Sequence, residues 1–163
     1  MNALLRGSQR LDPMTVGELS AVTAIEAAAY DFPCTRGNFI DSLAAGYLAR
    51  VLREADSEVV GYFIAMKGVD EMHLLNLTVA PEAQGQGHAW RMLDELVTLC
   101  RAVNARQLWL EVRETNERAR RLYTRYGFRH IGVRRGYYPA LYGRREDADV
   151  MSLDVPGGPD AME

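Results

Sequence analysis

One stretch restricts this chain more than any other. It runs from His73 to Trp90 and reads His-Leu-Leu-Asn-Leu-Thr-Val-Ala-Pro-Glu-Ala-Gln-Gly-Gln-Gly-His-Ala-Trp. Leu74, Leu75, Leu77 and Val79 predict a buried strand. Pro81 has no N–H to offer a ladder, so the strand should stop before it. Gly85 and Gly87 permit a tight turn that gathers backbone amides at the start of the next helix. Orphan N–H groups there, together with the helix dipole, favour an anion such as a phosphate or pyrophosphate. On spacing alone a plain tight turn is an equally good reading. The spacing Gln84-x-x-Gly87-x-Ala89 is not a Walker loop, because no Gly-Lys-Ser/Thr follows. It is not the dinucleotide fingerprint either, which needs a third glycine and a downstream acid.

The bulk properties set the frame around that stretch. At 163 residues, 48% hydrophobic and 25% charged, the chain is ordinary for a globular protein. It is long enough to bury a real core, and a single domain over residues 1–155 is expected. Residues 1–6 and a tail over 156–163, rich in proline and glycine, are expected to be poorly ordered. A net charge of −3 argues against nucleic acid or a membrane surface as a partner. Cys34 and Cys100 have no metal-type spacing, and two thiols point to a reducing compartment. No apolar run approaches about 18 residues and no leader is apparent, so a cytoplasmic protein is expected.

In chain order, a short strand over Gln9–Met14 precedes Thr15-Val16-Gly17-Glu18, which has capping-box spacing. Val16, Leu19, Val22 and Ile25 give a helical stripe to about Ala29. Thr35 caps a second helix through Phe39, Ile40 and Leu43, ending near Gly46. Tyr47–Arg53 and Val59–Met66 read as strands joined by a turn at Ala55-Asp56-Ser57. The strand at 73–79 completes this meander. The helix after the glycine turn places Met92, Leu93, Leu96, Val97 and Cys100 on its apolar face. Gln107–Val112 is a short buried strand. Thr115 or Asn116 caps a helix carrying Ala119, Leu122, Tyr123 and Tyr126, which Gly127 ends. Phe128–Val133 and Val150–Leu153 are the last strands, with a long loop over Tyr137–Arg144 between them, of a length that is often functional. The order is β-α-α-β-β-β-α-β-α-β-β: a mixed α/β fold, mostly antiparallel, with one parallel pair around the glycine turn.

Glu111 interrupts the apolar run Leu108–Val112. By alternation it shares a face with Trp109, while Leu108, Leu110 and Val112 share the other. It reads as an exposed edge-of-sheet glutamate, as a partner for Arg113, or as a carboxylate near apolar surface with a raised pKa, able to take a proton. Tyr123 reads as core packing with a satisfied hydroxyl. Asn116 is by default an N-cap. His73, His88 and His130 lack partners at metal spacing, so no metal is expected. The His88 side chain reads as solvated or as brushing a phosphate. Arg134 and Arg135 read as an exposed pair, and Glu146, Asp147 and Asp149 as an acidic cluster that is a solvated face or, less often, a docking site for a basic peptide.

From about Leu11 to Leu153 the chain resembles the GNAT superfamily of N-acetyltransferases. The resemblance rests on Leu75-Asn76-Leu77-Thr78-Val79-Ala80-Pro81, the Gln84–Ala89 loop, Asn116, and Leu122-Tyr123-x-x-x-Gly127-Phe128. Phe32-Pro33, Leu110-Glu111-Val112-Arg113, Arg134-Arg135-x-Tyr137-Tyr138-Pro139 and Glu146-Asp147-Ala148 are similar to a narrower, RimI-like family. That family acetylates the N-terminal alanine of a ribosomal small-subunit protein.

The resemblance implies a splayed mixed sheet flanked by helices and an acetyl-CoA co-substrate, with no metal. It implies that backbone groups of Leu77, Thr78 and Val79 hold the pantetheine arm and polarise the thioester. Amides of Gly85, Gln86, Gly87, His88, Ala89 and Trp90 would wrap the pyrophosphate, and Asn116 would contact the pantetheine. Glu111 would be the general base, directly or through water, and Tyr123 the acid toward the departing thiolate. The acceptor would be the N-terminus of a ribosomal protein and the enzyme a monomer. An α-amine of pKa about 8 needs less help than a lysine near 10.4. A phenol near 10 giving its proton to a thiol of about 8.5 is uphill by only ~2 kcal/mol. No placed cysteine asks for an acetyl-enzyme, so direct attack is expected. The chain departs from the family at Gly85 and Gln86, where Arg or Lys is frequent, and at Ala89 for glycine. Cys34 stands for Trp, and Gly136 for Asn. The last two lie where a peptide should bind, so the acceptor could instead be a lysine side chain or a small amine. A CoA-binding module without turnover is the remaining alternative.

Overall fold

The structure, a computed structural model, describes residues 9–157. Its strands are β1 (Arg10–Pro13), β2 (Leu48–Arg53), β3 (Val59–Lys67), β4 (Glu71–Val79), β5 (Gln107–Arg113), β6 (Arg129–Pro139) and β7 (Arg145–Asp154). Its α-helices are α1 (Leu19–Ala29), α2 (Arg36–Ala44), α3 (His88–Ala102) and α4 (Glu117–Tyr126). The element order is the one the sequence predicts. The strands form one sheet in the order β1-β2-β3-β4-β5-β7-β6. β4 and β5 pair in parallel, whereas β1/β2, β2/β3, β5/β7 and β6/β7 are antiparallel. The expectations about residues 1–6 and the last six residues lie outside the described part of the chain. Pro156 and Gly157 carry no regular structure.

The contacts divide the chain into two compact units: Met1–Met66 with Asn76–Leu93, and Lys67–Leu75 with Asp94–Glu163. In the first unit the Glu18 carboxylate accepts from the Thr15 N–H at 2.6 Å, as a capping box requires. The Thr15 hydroxyl also donates to that carboxylate, and both halves of the capping box are present. Residues Val16–Glu18 form a tighter 3-10 turn, and α1 begins only at Leu19. Thr35 caps α2 as expected, its hydroxyl accepting from the Asn38 N–H at 3.2 Å. Leu19 and Val22 of α1 and Phe39 of α2 are buried with Val51, Leu52, Tyr62 and Phe63 of the β2–β3 hairpin. Phe39 meets Tyr62 edge-on at 5.9 Å, the arrangement ring quadrupoles favour. The turn between β2 and β3 places Ser57 at φ 69°, within the predicted Ala55–Ser57 segment.

In the second unit, β4 and β5 pair from Glu71↔Gln107 to Leu74↔Leu110. Leu108, Leu110 and Val112 are buried, and Trp109 and Glu111 share the opposite face, as alternation predicts. Gly127 ends α4 at φ 125°, outside the range side chains favour. The last hairpin departs from expectation. β6 does not stop at Val133 but runs to Pro139, and β7 begins at Arg145, so the predicted long loop shrinks to a 3-10 turn at Leu141–Gly143. A register shift between Arg134 and Tyr138, with Gly136 at φ 59°, breaks the alternation that marks a strand. The bulge is held from β7: Arg145 donates to the carbonyls of Gly136 and Tyr137 at 3.0 Å each, and Asp147 accepts the Gly136 N–H at 2.8 Å.

Gly61 shows how closely β3 approaches its neighbours. A Cβ there would lie 2.9 Å from the Thr78 carbonyl oxygen and 3.0 Å from the Met92 methyl. Gly61→Ala is therefore expected to cost about 1–3 kcal/mol, the usual penalty for overpacking. Urea unfolding should show a lowered midpoint at unchanged slope, and an unaltered midpoint would show that β3 and β4 can separate freely.

Candidate functional site

The candidate residues fall into two groups, one in each unit. In the first, Pro81–Ala83 makes a 3-10 turn after β4, and the Gln84 side-chain amide donates back to the Val79 carbonyl at 3.3 Å. Gly85 and Gly87 follow at φ 81° and 84°. A Cβ on Gly87 would meet nothing within 4 Å, so glycine is required there by conformation, not by crowding. Intrahelical bonding in α3 begins with the Arg91 N–H on the Gly87 carbonyl at 3.1 Å. The helix's opening N–H groups, from His88 onward, precede that ladder. A left-handed turn running into these amides is a concave donor set suited to an anion.

The His88 side chain is not part of that set. It is buried, with Nδ1 3.1 Å from the Gln9 amide and Nε2 3.4 Å from Glu54. The solvated or phosphate-brushing histidine of the sequence reading is corrected: only its backbone faces the candidate role. Gln86 and Trp90 are exposed and Ala89 is half-buried.

Behind the end of β4 lies a polar network that sequence reasoning missed. Thr78 donates to the Asn76 carbonyl oxygen at 2.7 Å, and Asn76 donates to Glu26 at 2.9 Å. Because the single Thr78 hydroxyl proton is used, Tyr30 must donate to Thr78 across their 2.7 Å contact. Tyr62 donates to the other Glu26 oxygen at 2.8 Å. Glu26 is only 2% exposed, yet every contact it makes is a donor. Burial pushes the Tyr30 hydroxyl up to about 12 against its Thr78 bond, and the Glu26 charge adds to the rise. Burial and then the same charge push the Cys34 thiol up to about 11. A thiol so held is a poor nucleophile at neutral pH. The overlooked signal was Glu26 four residues after Val22, on the buried face of α1. Leu77 is half-buried, whereas Thr78 and Val79 are buried.

In the second unit the Glu111 side chain is 6% exposed and occupied at both oxygens. His73 Nε2 lies 2.5 Å from Oε2, and Arg134 Nε lies 3.3 Å from Oε1. Neither reading of Glu111 anticipated these partners; Arg113 instead pairs with Glu146 at 3.2 Å. His73 stacks on Trp109 with ring centroids 3.6 Å apart and planes 8° from parallel. Arg134 lies over the Trp109 and Tyr137 rings at 5.9 and 5.6 Å. Arg134 and Arg135 are both exposed, as the sequence suggested, but Arg134 is engaged by these contacts. Tyr138 stands nearby, its hydroxyl pushed up by burial and then by the Glu111 charge. Tyr123 is buried on α4, edge-on to Phe128 at 5.4 Å. Asn116 caps α4, its Oδ1 accepting from the Ala119 N–H at 3.2 Å.

The acidic cluster is structural, not a solvated face. Asp149 is buried and pairs with Arg120 at 2.7 Å and His130 at 3.1 Å. Glu146 binds Arg113 and accepts from both the Thr115 N–H and its hydroxyl, which ties β7 to the segment entering α4. Among the described residues no group of three or more His, Cys, Asp or Glu converges to hold a metal, and no helix is long and apolar enough to cross a membrane.

Residues 19–128 match the model of the acetyltransferase (GNAT) family. The [ribosomal protein bS18]-alanine N-acetyltransferase of Haemophilus ducreyi is 38% identical over 129 residues, 79% of this chain and 88% of that protein. The Escherichia coli K12 protein of the same name is 34% identical over 138 residues, 85% of this chain and 92% of that one. The crystal structure of the ribosomal-protein-S18-alanine N-acetyltransferase from Escherichia coli superposes with a TM-score of 0.84 at 30% identity. It covers 95% of this chain and 99% of that one.

Glu146 yields a pH prediction. Burial alone would raise its carboxyl, but the Thr115 hydroxyl and amide and the Arg113 guanidinium outweigh it and hold the group below its ordinary 4.5. A depressed carboxyl stabilises the fold above its unfolded pKa, and that contribution disappears as pH falls through the folded value. Glu146→Gln should thus be less stable than the parent at neutral pH and approach it as pH drops below about 4.5. A stability gap that does not narrow in acid would show that the carboxylate charge is irrelevant.

Proposed function

Because the chain belongs to the acetyltransferase (GNAT) family and is an N-acetyltransferase, we propose that it acetylates the N-terminal alanine of ribosomal protein bS18. The observation that carries this reading is 31–38% identity to proteins of that name along most of both chains, not only at the coenzyme loop. It would act as a cytoplasmic monomer, with the peptide N-terminus as its partner.

Bound acetyl-CoA supplies an activated acetyl group and a thiolate leaving group. The residues present suit it. The amides of Gly85, Gln86, Gly87, His88, Ala89 and Trp90 form the donor set for the pyrophosphate, through backbone groups that need no Arg or Lys. Backbone groups of Leu77, Thr78 and Val79 hold the pantetheine arm, and the Glu26–Asn76–Thr78 network keeps that end of β4 in place. Asn116 has committed its oxygen to the α4 cap, so its NH₂ group is the part left to contact the pantetheine. Glu111 takes a proton from the α-amine, directly or through one water. Tyr123 carries a phenolic proton for the departing sulfur. An α-amine is already partly deprotonated near neutral pH, so a carboxylate suffices as base. With the Cys34 thiol kept protonated, transfer is direct.

The test is mass spectrometry of an Ala-first peptide incubated with enzyme and acetyl-CoA, beside an N-blocked copy containing lysine. Label on the α-amine alone is expected. Label only on lysine would transfer the assignment to side-chain acetylation, and CoA binding without transfer to any amine would leave a binding module. Glu111→Gln and Tyr123→Phe should each lower kcat by roughly 10²- to 10⁴-fold while CoA affinity stays near the parent's. Full activity in both would refute their roles.

A further inference from the structure

Glu111 is an unusual base candidate because both its oxygens are already engaged. The His73 contact is short, and neither side chain is open: His73 is 11% and Glu111 6% exposed. A contact of 2.5 Å between a ring nitrogen and a carboxylate oxygen needs a proton between them, since two lone pairs would repel. The ring cannot swing away. Trp109, two residues before Glu111 on the same face of β5, lies flat against it. The parallel register puts His73 opposite Trp109 and leaves its ring to reach along the sheet to Glu111. From β6, Arg134 closes the other oxygen, and the Tyr138 hydroxyl faces the same charge. Arg113 faces Tyr138 and is also engaged by Glu146.

We propose that His73 is a positioning residue for the base, fixing the Glu111 carboxylate through its Nε2–H as one hydrogen-bonded dyad. The inference rests on Glu111 being the base. In the working state the imidazole Nε2–H donates to Oε2. Arg134 holds Oε1 while leaving that oxygen a second lone pair. The amine N–H bond breaks, its electron pair stays on nitrogen, and a new O–H bond forms on Glu111. The carboxylate goes from −1 to neutral and returns when the proton leaves to water.

Two substitutions separate this from simple packing. His73→Gln keeps an N–H donor near the Nε2 position. His73→Leu keeps bulk and removes the donor. With an Ala-first peptide, His73→Leu should lose roughly 10- to 100-fold in kcat at unchanged KM for acetyl-CoA, the scale of a misplaced catalytic group. His73→Gln should restore most of that loss. Unchanged kcat in both variants would overturn the dyad, as would a Gln variant as impaired as Leu. Glu111→Gln run in parallel tells the two failures apart. If it is inactive while the His73 variants behave as the parent, only the dyad is lost. If it is fully active, the base assignment falls with it.

Discussion

A polar group buried away from water must find a hydrogen-bond partner or cost about 1–3 kcal/mol, more if it is charged. Two carboxylates impose that constraint here, one in each compact unit, and both are met from β4. Glu26 is satisfied by Asn76 and Tyr62, with Thr78 and Tyr30 continuing the chain. Glu111 is satisfied by His73 and Arg134. Alternation alone would let β4 slide by two residues without exposing its apolar set. Shifting Asn76 or His73 would orphan a buried charge, so the two anchors specify register where leucines cannot.

The same strand is the part of the chain the proposed chemistry depends on most. Rigid backbone at Leu77–Val79 matters because polarising a carbonyl requires donors already in place before reaction. The glycine turn that follows adds donors by conformation: two residues at positive φ turn successive amides one way, and the helix start leaves further amides ahead of its ladder. On the proposed function, a loop with Gly85 and Gln86, and no cation at either position, would hold the pyrophosphate through these backbone donors.

Most elements were legible because their signals are local. Pro81, Gly85 and Gly87 punctuate the chain whatever surrounds them. The Thr35 cap, the Asn116 cap and the Gly127 stop each act within one helical turn. The face shared by Trp109 and Glu111 follows from a period of two. The misreadings share a cause. The end of β6 looked like a loop because its bulge at Gly136 is stabilised by Arg145 and Asp147, nine and eleven residues away. Asp149 and Glu146 looked solvated because their arginines come from α4 and β5. His88 looked free because Gln9 and Glu54 are distant in sequence.

By itself the amino-acid sequence determined the order of the elements, the place of the glycine turn, the resemblance to N-acetyltransferases, and the choice of Glu111 and Tyr123 as candidates. Periodicity, caps, glycine and proline act over a few residues, so they survive in a one-dimensional record. Only the tertiary structure decided what each candidate touches. Glu111 gained His73, 38 residues away, and Arg134 from the edge strand; Glu26 gained Asn76, 50 residues away. Electrostatic partners are chosen by strand register and packing after the chain has folded, and hydrogen bonding at 2.5–3.3 Å depends on that geometry rather than on spacing along the chain.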